Sequence, residues 1–363
     1  MFLRHRRTAV AVLAVLALAG AACGSSNADP NAGGTASNGS AACEPAESPI
    51  LTLAAYSNVY DTYGKLTSDF AKAWKEEHDQ QVIFQLSFGG STTQAQNVVN
   101  GLEADIVALS LAPDVQLIQD AGLITHDWTK DTNNGIVASS AVVFDVRPGN
   151  PKHIENWDDL AQPGLQILTP DPAQSGGARW NIVGAYGASM RGHVDGYKAD
   201  DPADAQRLLT GIFSNVTVLD KSANDSIKNF QAGNGDVAIT YEYAVLAAQA
   251  AGGEDEMVIP PSTVDIQTPV SVVDVNAEKH CVEDIANEFV EYLHTPDAQE
   301  VFKSVGYERP IPQADAQKGD GDQFAPIDDL FTTDDIGGWD ELQDDTVFGP
   351  DGAFTKAFQE AQG

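Results

Sequence analysis

Basic residues are scarce in this chain. Its 363 residues include 20 Lys and Arg against 53 Asp and Glu, and the formal net charge is -33. Proteins that bind nucleic acids neutralise phosphates with Lys and Arg, so this imbalance argues against a nucleic-acid partner. At physiological ionic strength, exposed charges are screened over about 8 Å. A buried site with its own hydrogen-bond donors can therefore still bind an anion.

The motifs of common enzymes and metal sites are also missing. The sequence contains no Gly-x-Ser-x-Gly, no His-Glu-x-x-His and no Gly-x-x-x-x-Gly-Lys motif, which argues against a hydrolase, a zinc protease or a phosphate-binding nucleotide loop. No two histidines stand three or four residues apart, as two metal ligands on one helix would. The acidic DGDQ at 320–323 lacks the twelve-residue frame of a calcium loop. We expect no metal, no cofactor and no enzymatic activity.

Long hydrophobic runs are confined to the N-terminus. Residues 1–22 combine three arginines with an apolar run too short to span a bilayer, which is typical of a secretion signal peptide. Cys23 follows as in a bacterial lipoprotein signal, although Gly20 stands where leucine is usual. Residues 23–48, rich in small and polar residues, predict a lipid-anchored flexible tether. We expect the body at the outer face of the cell membrane; the alternative is free secretion after ordinary cleavage.

Cysteine is nearly absent from the rest of the chain. Beyond the lipidation site there are only Cys43 and Cys281. An exported chain lies in oxidising surroundings, which permit a disulfide bond between them. Such a bond would fix the end of the tether to the folded body. Two separate thiols are the alternative.

What the sequence does contain is a regular alternation of predicted strands and helices. ILTLAAYS (50–57) and QQVIFQLSF (80–88) predict strands, and TYGKLTSDFAKAWKEEH (62–78) has the apolar spacing of a helix. The alternation predicts an α/β fold with mostly parallel sheets covered by helices. The length suits two lobes rather than one core. The last fifty residues are acidic, and we expect mainly loops there.

One local device recurs three times. A predicted strand ends, small residues follow and a helix begins, at LSFGGST (86–92), PAQSGGAR (172–179) and LDKSANDS (219–226). We place the third of these helices at Ser226–Ala232. The first backbone N–H groups of a helix lack partners and favour an anion. Three such turns on two lobes indicate a binding site for an anion.

These turns belong to a wider resemblance. The stretches SFGGSTTQAQNVVNGLEADIVALSLAPDVQLI, QILTPDPAQSGGARWN, GDVAITYEYA and DDIGGWDE resemble the sulfate-binding and thiosulfate-binding proteins of ABC importers, over roughly residues 50–358. The resemblance implies a two-lobed periplasmic-binding-protein fold that closes on a dehydrated oxyanion. We expect lobe I at 49–141 plus 242–363 and lobe II at 142–241. Hinge strands are expected near Val142–Val146 and Ile239–Tyr243.

The resemblance also implies a set of anion-binding residues. Carried over by position, they are Ser91, Ser175, Gly176, Gly177, Ala223 and Tyr241. Five further residues are expected next to the site, in positions that support or adjoin the anion-binding residues: Ser57, Gly90, Arg179, Asn224 and Asp225. The chain departs from the family at Tyr241, where a tryptophan is usual, at Ser57, where an aspartate is usual, and at Asn224, where an arginine is usual.

The choice of anion depends on the donors and acceptors of the site. Sulfate is fully deprotonated at neutral pH and needs donors only, whereas hydrogenphosphate needs one acceptor. Asp225 is therefore important: we expect it to cap the short helix that follows it, but an inward carboxylate would favour phosphate. Arg179 is expected to bond carbonyls or a carboxylate rather than the anion, and Trp180 to pack in the core.

The expected function is capture of sulfate by a monomeric, lipid-anchored binding protein that delivers it to an ABC permease and its ATPase. Alternatives of the same class are binding of thiosulfate, phosphate or a molybdate-like oxyanion. A sensor that binds without transport, or an enzyme acting on sulfate or phosphate esters, belongs to other classes. No nucleophile paired with a base supports the enzyme.

Overall fold

The computed structural model describes Cys43 and residues 46–362. The predicted signal peptide, Cys23 and nearly all of the predicted tether lie outside the described residues. Within the described part of the chain, no helix is both long and apolar enough to cross a membrane.

The strands within residues 46–362 form one sheet in the order β2-β1-β3-β9-β4-β7-β5-β6, with β10 beside β9 and β8 beside β4. They are β1 (Ile50–Tyr56), β2 (Ile83–Gly89), β3 (Ile106–Ala108), β4 (Ile136–Val146), β5 (Ile167–Pro170), β6 (Val216–Asp220), β7 (Val237–Tyr241), β8 (Glu256–Val258), β9 (Ser262–Val272) and β10 (Asp329–Phe331).

Helices separate most of the strands, as predicted. They are α1 (Tyr60–His78), α2 (Ser91–Val99), α3 (Ala112–Asp120), α4 (Gly176–Met190), α5 (Pro202–Ser214), α6 (Ala223–Gln231), α7 (Glu242–Ala250), α8 (Asp274–His280), α9 (Glu283–Tyr292), α10 (Pro296–Ser304), α11 (Gln313–Lys318), α12 (Gly338–Glu341) and α13 (Ala353–Gln362). The predicted α/β class is confirmed.

The sheet has two parallel halves. In one half β1 pairs in parallel with β2 and with β3, and in the other β5 pairs in parallel with β6 and with β7. The two halves correspond to the two lobes of a periplasmic-binding-protein fold. Carboxyl ends of parallel strands are where α/β folds place their ligands, because the helices that follow start there.

Two long strands, β4 and β9, connect the halves. β9 pairs antiparallel with β3 through 270–272 and with β4 through 265–269, while β4 continues to pair with β7 through Val142–Val146. Every residue of β4 is buried. Of the two predicted hinge segments, the first lies in β4, but the second lies in β7, which pairs only within its own half. The second strand that connects the halves is β9.

The expectation of loops in the last fifty residues is wrong. This segment contains β10 and the helices α12 and α13. Phe354 of α13 packs edge-to-face against Phe213 of α5, with ring centroids 5.0 Å apart. Within α13 the apolar residues recur at helical spacing, at Phe354, Ala357, Phe358 and Ala361. The helix could therefore have been predicted from the sequence. The predicted lobe limits stay a prediction, but this packing favours placing 353–362 with lobe II.

A disulfide bond joins the start of the described chain to its body. Cys43 and Cys281 are bonded, with Cα atoms 5.3 Å apart. Cys281 adopts the left-handed conformation directly after α8. The predicted pairing is confirmed, so the two cysteines are not separate thiols.

Candidate anion-binding site

Three helix N-termini point toward the same region. Gly90, Ser175 and Ser222 have extended backbones and act as the N-caps of α2, α4 and α6. Each helix follows the carboxyl end of a parallel strand. Its first N–H groups have no partner within the helix, and the helix macrodipole makes them attractive to a negative charge. The structure thus forms the three turns expected from the sequence, with α6 starting three residues earlier than predicted.

These N-termini line one small cavity. Its volume is about 10 Å³, close to the roughly 10–15 Å³ that a single water needs, so its walls must move outward slightly to admit an anion with four oxygens. An amino acid or a sugar is far too large for it. The cavity is lined by Tyr56, Ser57, Asn58, Gly89, Gly90, Ser91, Ser110, Ser175, Gly176, Gly177, Ala223, Tyr241 and Tyr243.

All six predicted anion-binding residues lie in this lining, and so do Ser57 and Gly90. Three of the neighbouring residues lie elsewhere: Arg179, Asn224 and Asp225 are absent from the lining. The sequence interpretation missed Tyr56, Asn58, Gly89, Ser110 and Tyr243. Ser110 follows the end of β3 just as Ser57 follows β1, so its position at a strand end could have identified it. Tyr56, the last residue of β1, and Tyr243, two residues after the end of β7, carry the same signal.

Glycine is required where the two halves of the molecule meet. A Cβ atom added at Gly176 would collide with Ser110 Oγ, and one at Gly90 would collide with the carbonyl of Gln174. At Gly177 an added Cβ would lie 3.2 Å from the Cβ of Ala223. The hydroxyl of Thr93 donates to Gln174 O at 3.4 Å across the same junction. The lobes are therefore in contact around the cavity.

Three hydroxyl groups of the lining are buried and make no hydrogen bond of ordinary geometry within the described part of the chain: those of Ser110, Tyr241 and Tyr243. Tyr241 lies near Ser110, and Tyr243 lies near Asn58. The rings of Tyr241 and Tyr243 meet edge-to-face with centroids 5.3 Å apart. Burial raises the pKa of both phenols well above the usual value, so each keeps its proton. A buried donor without a partner is costly, and an anion would satisfy it.

Ser91 has its hydroxyl already engaged. Ser91 Oγ donates to Asp114 Oδ2 at 2.5 Å and accepts the N–H of Ser110 at 3.0 Å. Burial raises the pKa of Asp114 to about 6, although the bond from Ser91 and the charge of Arg179 oppose the rise. The group of Ser91 left for an anion is its backbone N–H, at the first position of α2.

Arg179 supports the site from outside. Its Nε donates to Pro172 O at 3.3 Å and its Nη1 to Gln343 Oε1 at 2.8 Å. A bond to a backbone carbonyl agrees with the expected supporting role. Trp180 is buried, as expected for core packing, and its Nε1 also donates to Ser110 O at 2.5 Å, which holds the Ser110 backbone in place.

Asp225 does not enter the cavity. It is exposed, its side chain accepts the Ser222 hydroxyl at 2.9 Å, and its N–H donates to Ser222 Oγ at 3.1 Å. The expectation that Asp225 caps the following helix is wrong in detail, because Ser222 is the N-cap and Asp225 is the third residue of α6. It lines, with Asn224 and Lys221, a larger adjoining pocket of about 860 Å³.

No charged side chain belongs to the cavity lining. Among the described residues there is also no group of three or more His, Cys, Asp or Glu side chains that could hold a metal ion. The cavity offers helix N-termini, peptide N–H groups and neutral hydroxyls. Such donors bind a compact, fully deprotonated anion without a counter-charge.

The fold and this cavity define a two-lobed solute-binding protein. The model of the bacterial extracellular solute-binding protein family matches residues 51–308. The sulfate-binding protein of Synechococcus elongatus is 38% identical over 94% of this chain and 93% of its own, and the thiosulfate-binding protein of Pseudomonas aeruginosa is 32% identical over 82% and 89%. The solved sulfate-binding protein of Mycobacterium tuberculosis has a TM-score of 0.70 at 30% identity, covering 81% of this chain and 98% of its own. The chain belongs to the sulfate-binding and thiosulfate-binding group of this family, so the resemblance stated from the sequence is confirmed.

Proposed function

We propose that this protein captures sulfate outside the cell membrane and delivers it to an ABC permease with its ATPase. One observation carries the proposal: the N-termini of α2, α4 and α6 line one small cavity together with neutral hydroxyl donors. Several charge-assisted hydrogen bonds of about 1.5–3 kcal/mol each are enough for micromolar affinity, about -8 kcal/mol. No cationic side chain is needed.

The donor set favours sulfate over phosphate. Hydrogenphosphate carries a proton and needs an acceptor, and no carboxylate lines the cavity. The acid that could have supplied one, Asp225, bonds to Ser222 instead. The names of the relatives from Synechococcus elongatus and Mycobacterium tuberculosis support sulfate as well.

Thiosulfate is the second candidate. It offers the same deprotonated oxygens, and the Pseudomonas aeruginosa relative is named as a thiosulfate-binding protein. Its terminal sulfur atom is larger than oxygen, so the small volume of the cavity, about 10 Å³, favours sulfate.

Anion binding is proposed to stabilise the closed arrangement of the lobes. Donors from both halves meet at the cavity, so each lobe alone would bind weakly. Bending of β4 and β9, the two strands that connect the halves, would open it. The permease would then recognise the closed form, and no turnover of a sulfate ester is part of this function.

The attachment to the cell surface is proposed from the sequence. Cys23 would carry the lipid, the tether would let a monomeric body move, and the Cys43–Cys281 bond would end the tether at the body. Expression of the full chain with Cys23→Ala should move the protein from the membrane fraction to the soluble exported fraction. An unchanged membrane fraction would remove the anchor from the proposal.

Titration calorimetry of the purified exported chain tests the function. Sulfate, thiosulfate, phosphate and molybdate are titrated separately at neutral pH, and sulfate is expected to bind most tightly. Silence with sulfate beside a strong phosphate signal would overturn the proposal. Equal affinities for sulfate and thiosulfate would still indicate an oxyanion-binding protein, but one that does not distinguish these two anions. Turnover of a model sulfate ester, lost in Ser175→Ala, would indicate an enzyme instead.

A further inference from the structure

A buried carboxyl group lies behind the tyrosines of the anion cavity. Glu308 follows α10 and is only 2% exposed. Its Oε1 accepts the Tyr56 hydroxyl at 3.4 Å, while its Oε2 has no hydrogen-bond partner within residues 46–362. Neither the sequence motifs nor the family resemblance pointed to this residue.

Within residues 46–362, no cation lies beside Glu308 to balance a charge. The neighbouring Arg309 is turned to Glu242, with Nη2 and Oε1 2.8 Å apart, and its Nη1 donates to Ala316 O at 2.6 Å. The guanidinium is thereby committed to a different carboxylate. A carboxylate at position 308 would be buried and unpaired, which costs several kcal/mol in general.

Among the described side chains, the hydrogen-bond partner of Glu308 is Tyr56 of β1, which also lines the anion cavity. Tyr56 and three further phenols, those of Tyr63 of α1, Tyr241 of β7 and Tyr243 of α7, are affected by its charge. A negative charge on Glu308 raises the pKa of each of them. Burial raises the pKa of Glu308 to about 8, and the bond from Tyr56 only partly opposes the rise. Glu308 is therefore a neutral acid at neutral pH.

We propose that Glu308 is a positioning residue for the anion: as a neutral acid it leaves the hydroxyl of Tyr56 free to donate into the cavity, and as a carboxylate it draws that hydroxyl away. This inference rests on the proposed function, because it concerns binding of the same anion. It assigns to the site an ionisable group that does not touch the ligand.

Ionisation of Glu308 would weaken sulfate binding because it reduces the number of hydrogen-bond donors that the cavity offers. A phenol hydroxyl rotates and has one hydrogen to donate. A carboxylate attracts that hydrogen strongly, and the phenol then presents lone pairs to the cavity, where sulfate accepts only. The negative charge of Glu308 also repels the anion directly across a region of low dielectric. Both effects weaken sulfate binding as Glu308 loses its proton.

Calorimetry of the wild-type exported chain at about pH 7 and about pH 9 tests the inference, because sulfate itself does not titrate in this interval. The association constant should fall about tenfold between these values if the anion binds only the protonated form. Titrations at the higher pH in buffers of different ionisation enthalpy should show uptake of about one proton per sulfate bound.

A variant assigns the effect to the residue. In Glu308→Gln the ratio of association constants at the two pH values should be close to one, whereas the exposed Glu283→Gln should keep the wild-type ratio. A wild-type affinity that does not change with pH, or a Glu308→Gln protein that keeps the fall, would overturn the inference. If Glu308→Gln does not fold, the proton uptake of the wild type decides: no uptake overturns the inference. Failure of sulfate to bind at either pH would instead refute the proposed function.

Discussion

Ser91 and Asp114 share a buried hydrogen bond, with Ser91 Oγ 2.5 Å from Asp114 Oδ2. The serine hydroxyl also accepts the Ser110 N–H, so one side chain holds together the starts of α2 and α3 beneath the anion cavity. The bond leaves Ser91 to meet the anion with its backbone rather than its side chain. Removing the Ser91 hydroxyl should therefore change the stability of the protein more than its affinity for the anion.

Ser91→Ala should reduce the free energy of unfolding by about 1–3 kcal/mol, because it leaves the Ser110 N–H without its acceptor and leaves Asp114 with only the longer bond from Thr92. Urea denaturation at neutral pH measures the change. Ser304→Ala is the matched control, since that serine is exposed and bonds only within its own helix; its effect should stay within about 0.5 kcal/mol. Equal effects of the two substitutions would show that the Asp114 bond contributes nothing to stability.

Gly177→Asp should abolish sulfate binding. Its Cβ would press on Ala223 and Tyr241, at 3.2 and 3.5 Å, and its carboxylate would occupy a site for anions. Calorimetry tests the loss, and a thermal unfolding transition shows that the variant is folded. Gly64→Asp serves as the control, because nothing lies within 4 Å of a Cβ added there. Normal binding by Gly177→Asp would mean that the cavity is not the site.

Tyr241→Phe should weaken sulfate binding about 10- to 100-fold without destabilising the protein. The lost hydrogen bond to a charged ligand is worth about 1.5–3 kcal/mol, and in the described protein the hydroxyl makes no hydrogen bond of ordinary geometry that it could lose. Calorimetry and urea denaturation are needed together. Tyr186→Phe, a buried tyrosine outside the cavity, should leave affinity unchanged. An unaltered affinity in Tyr241→Phe would remove this hydroxyl from the set of donors.

Stability should fall as pH rises through the range of His126. Burial lowers the pKa of this imidazole, but Asp274 and Asp131 outweigh burial and raise it; Nδ1 lies 2.8 Å from Asp274 Oδ2. A raised pKa stabilises the folded state fully below the unfolded value of about 6.5 and ceases to do so above the folded value.

The variant His126→Asn should therefore show a smaller loss of unfolding free energy than the wild type as pH is raised from about 6 to about 8. Urea denaturation across this interval measures both losses. His153→Asn is the control, since His153 is exposed and has the positive φ of 53° that asparagine accepts. Identical pH profiles for wild type and His126→Asn would contradict the assignment.

Removal of the disulfide bond should destabilise the protein by up to about 5 kcal/mol, because the bond closes a loop between positions 238 residues apart. Calorimetric unfolding of Cys281→Ser measures the loss. The double variant Cys43→Ser/Cys281→Ser should be no less stable than the single one. A further loss in the double variant would show that Cys43 contributes through something other than the bond.

Much of the fold could be predicted from local patterns. The alternation of strands and helices and the helix starts within LSFGGST and PAQSGGAR follow from side chains within a few residues of each other. The start of α6 was misplaced because Ser222 and Asp225 both resemble N-caps and only their mutual bond distinguishes them. The helix α13 was missed although its apolar residues have helical spacing, because the acidic composition of the surrounding segment indicated loops.

The sequence by itself determined the class of protein and most of the residues around the anion cavity, since a helix start that binds anions needs only glycine, serine and free backbone N–H groups. The tertiary structure alone decided which side chains are free to donate. The Ser91 hydroxyl is bonded to Asp114 and the Tyr56 hydroxyl to Glu308, whereas the hydroxyls of Tyr241 and Tyr243 make no hydrogen bond of ordinary geometry in the described part of the chain. These relationships join positions far apart in the chain, and they depend on the order of strands in the sheet, which no local pattern specifies.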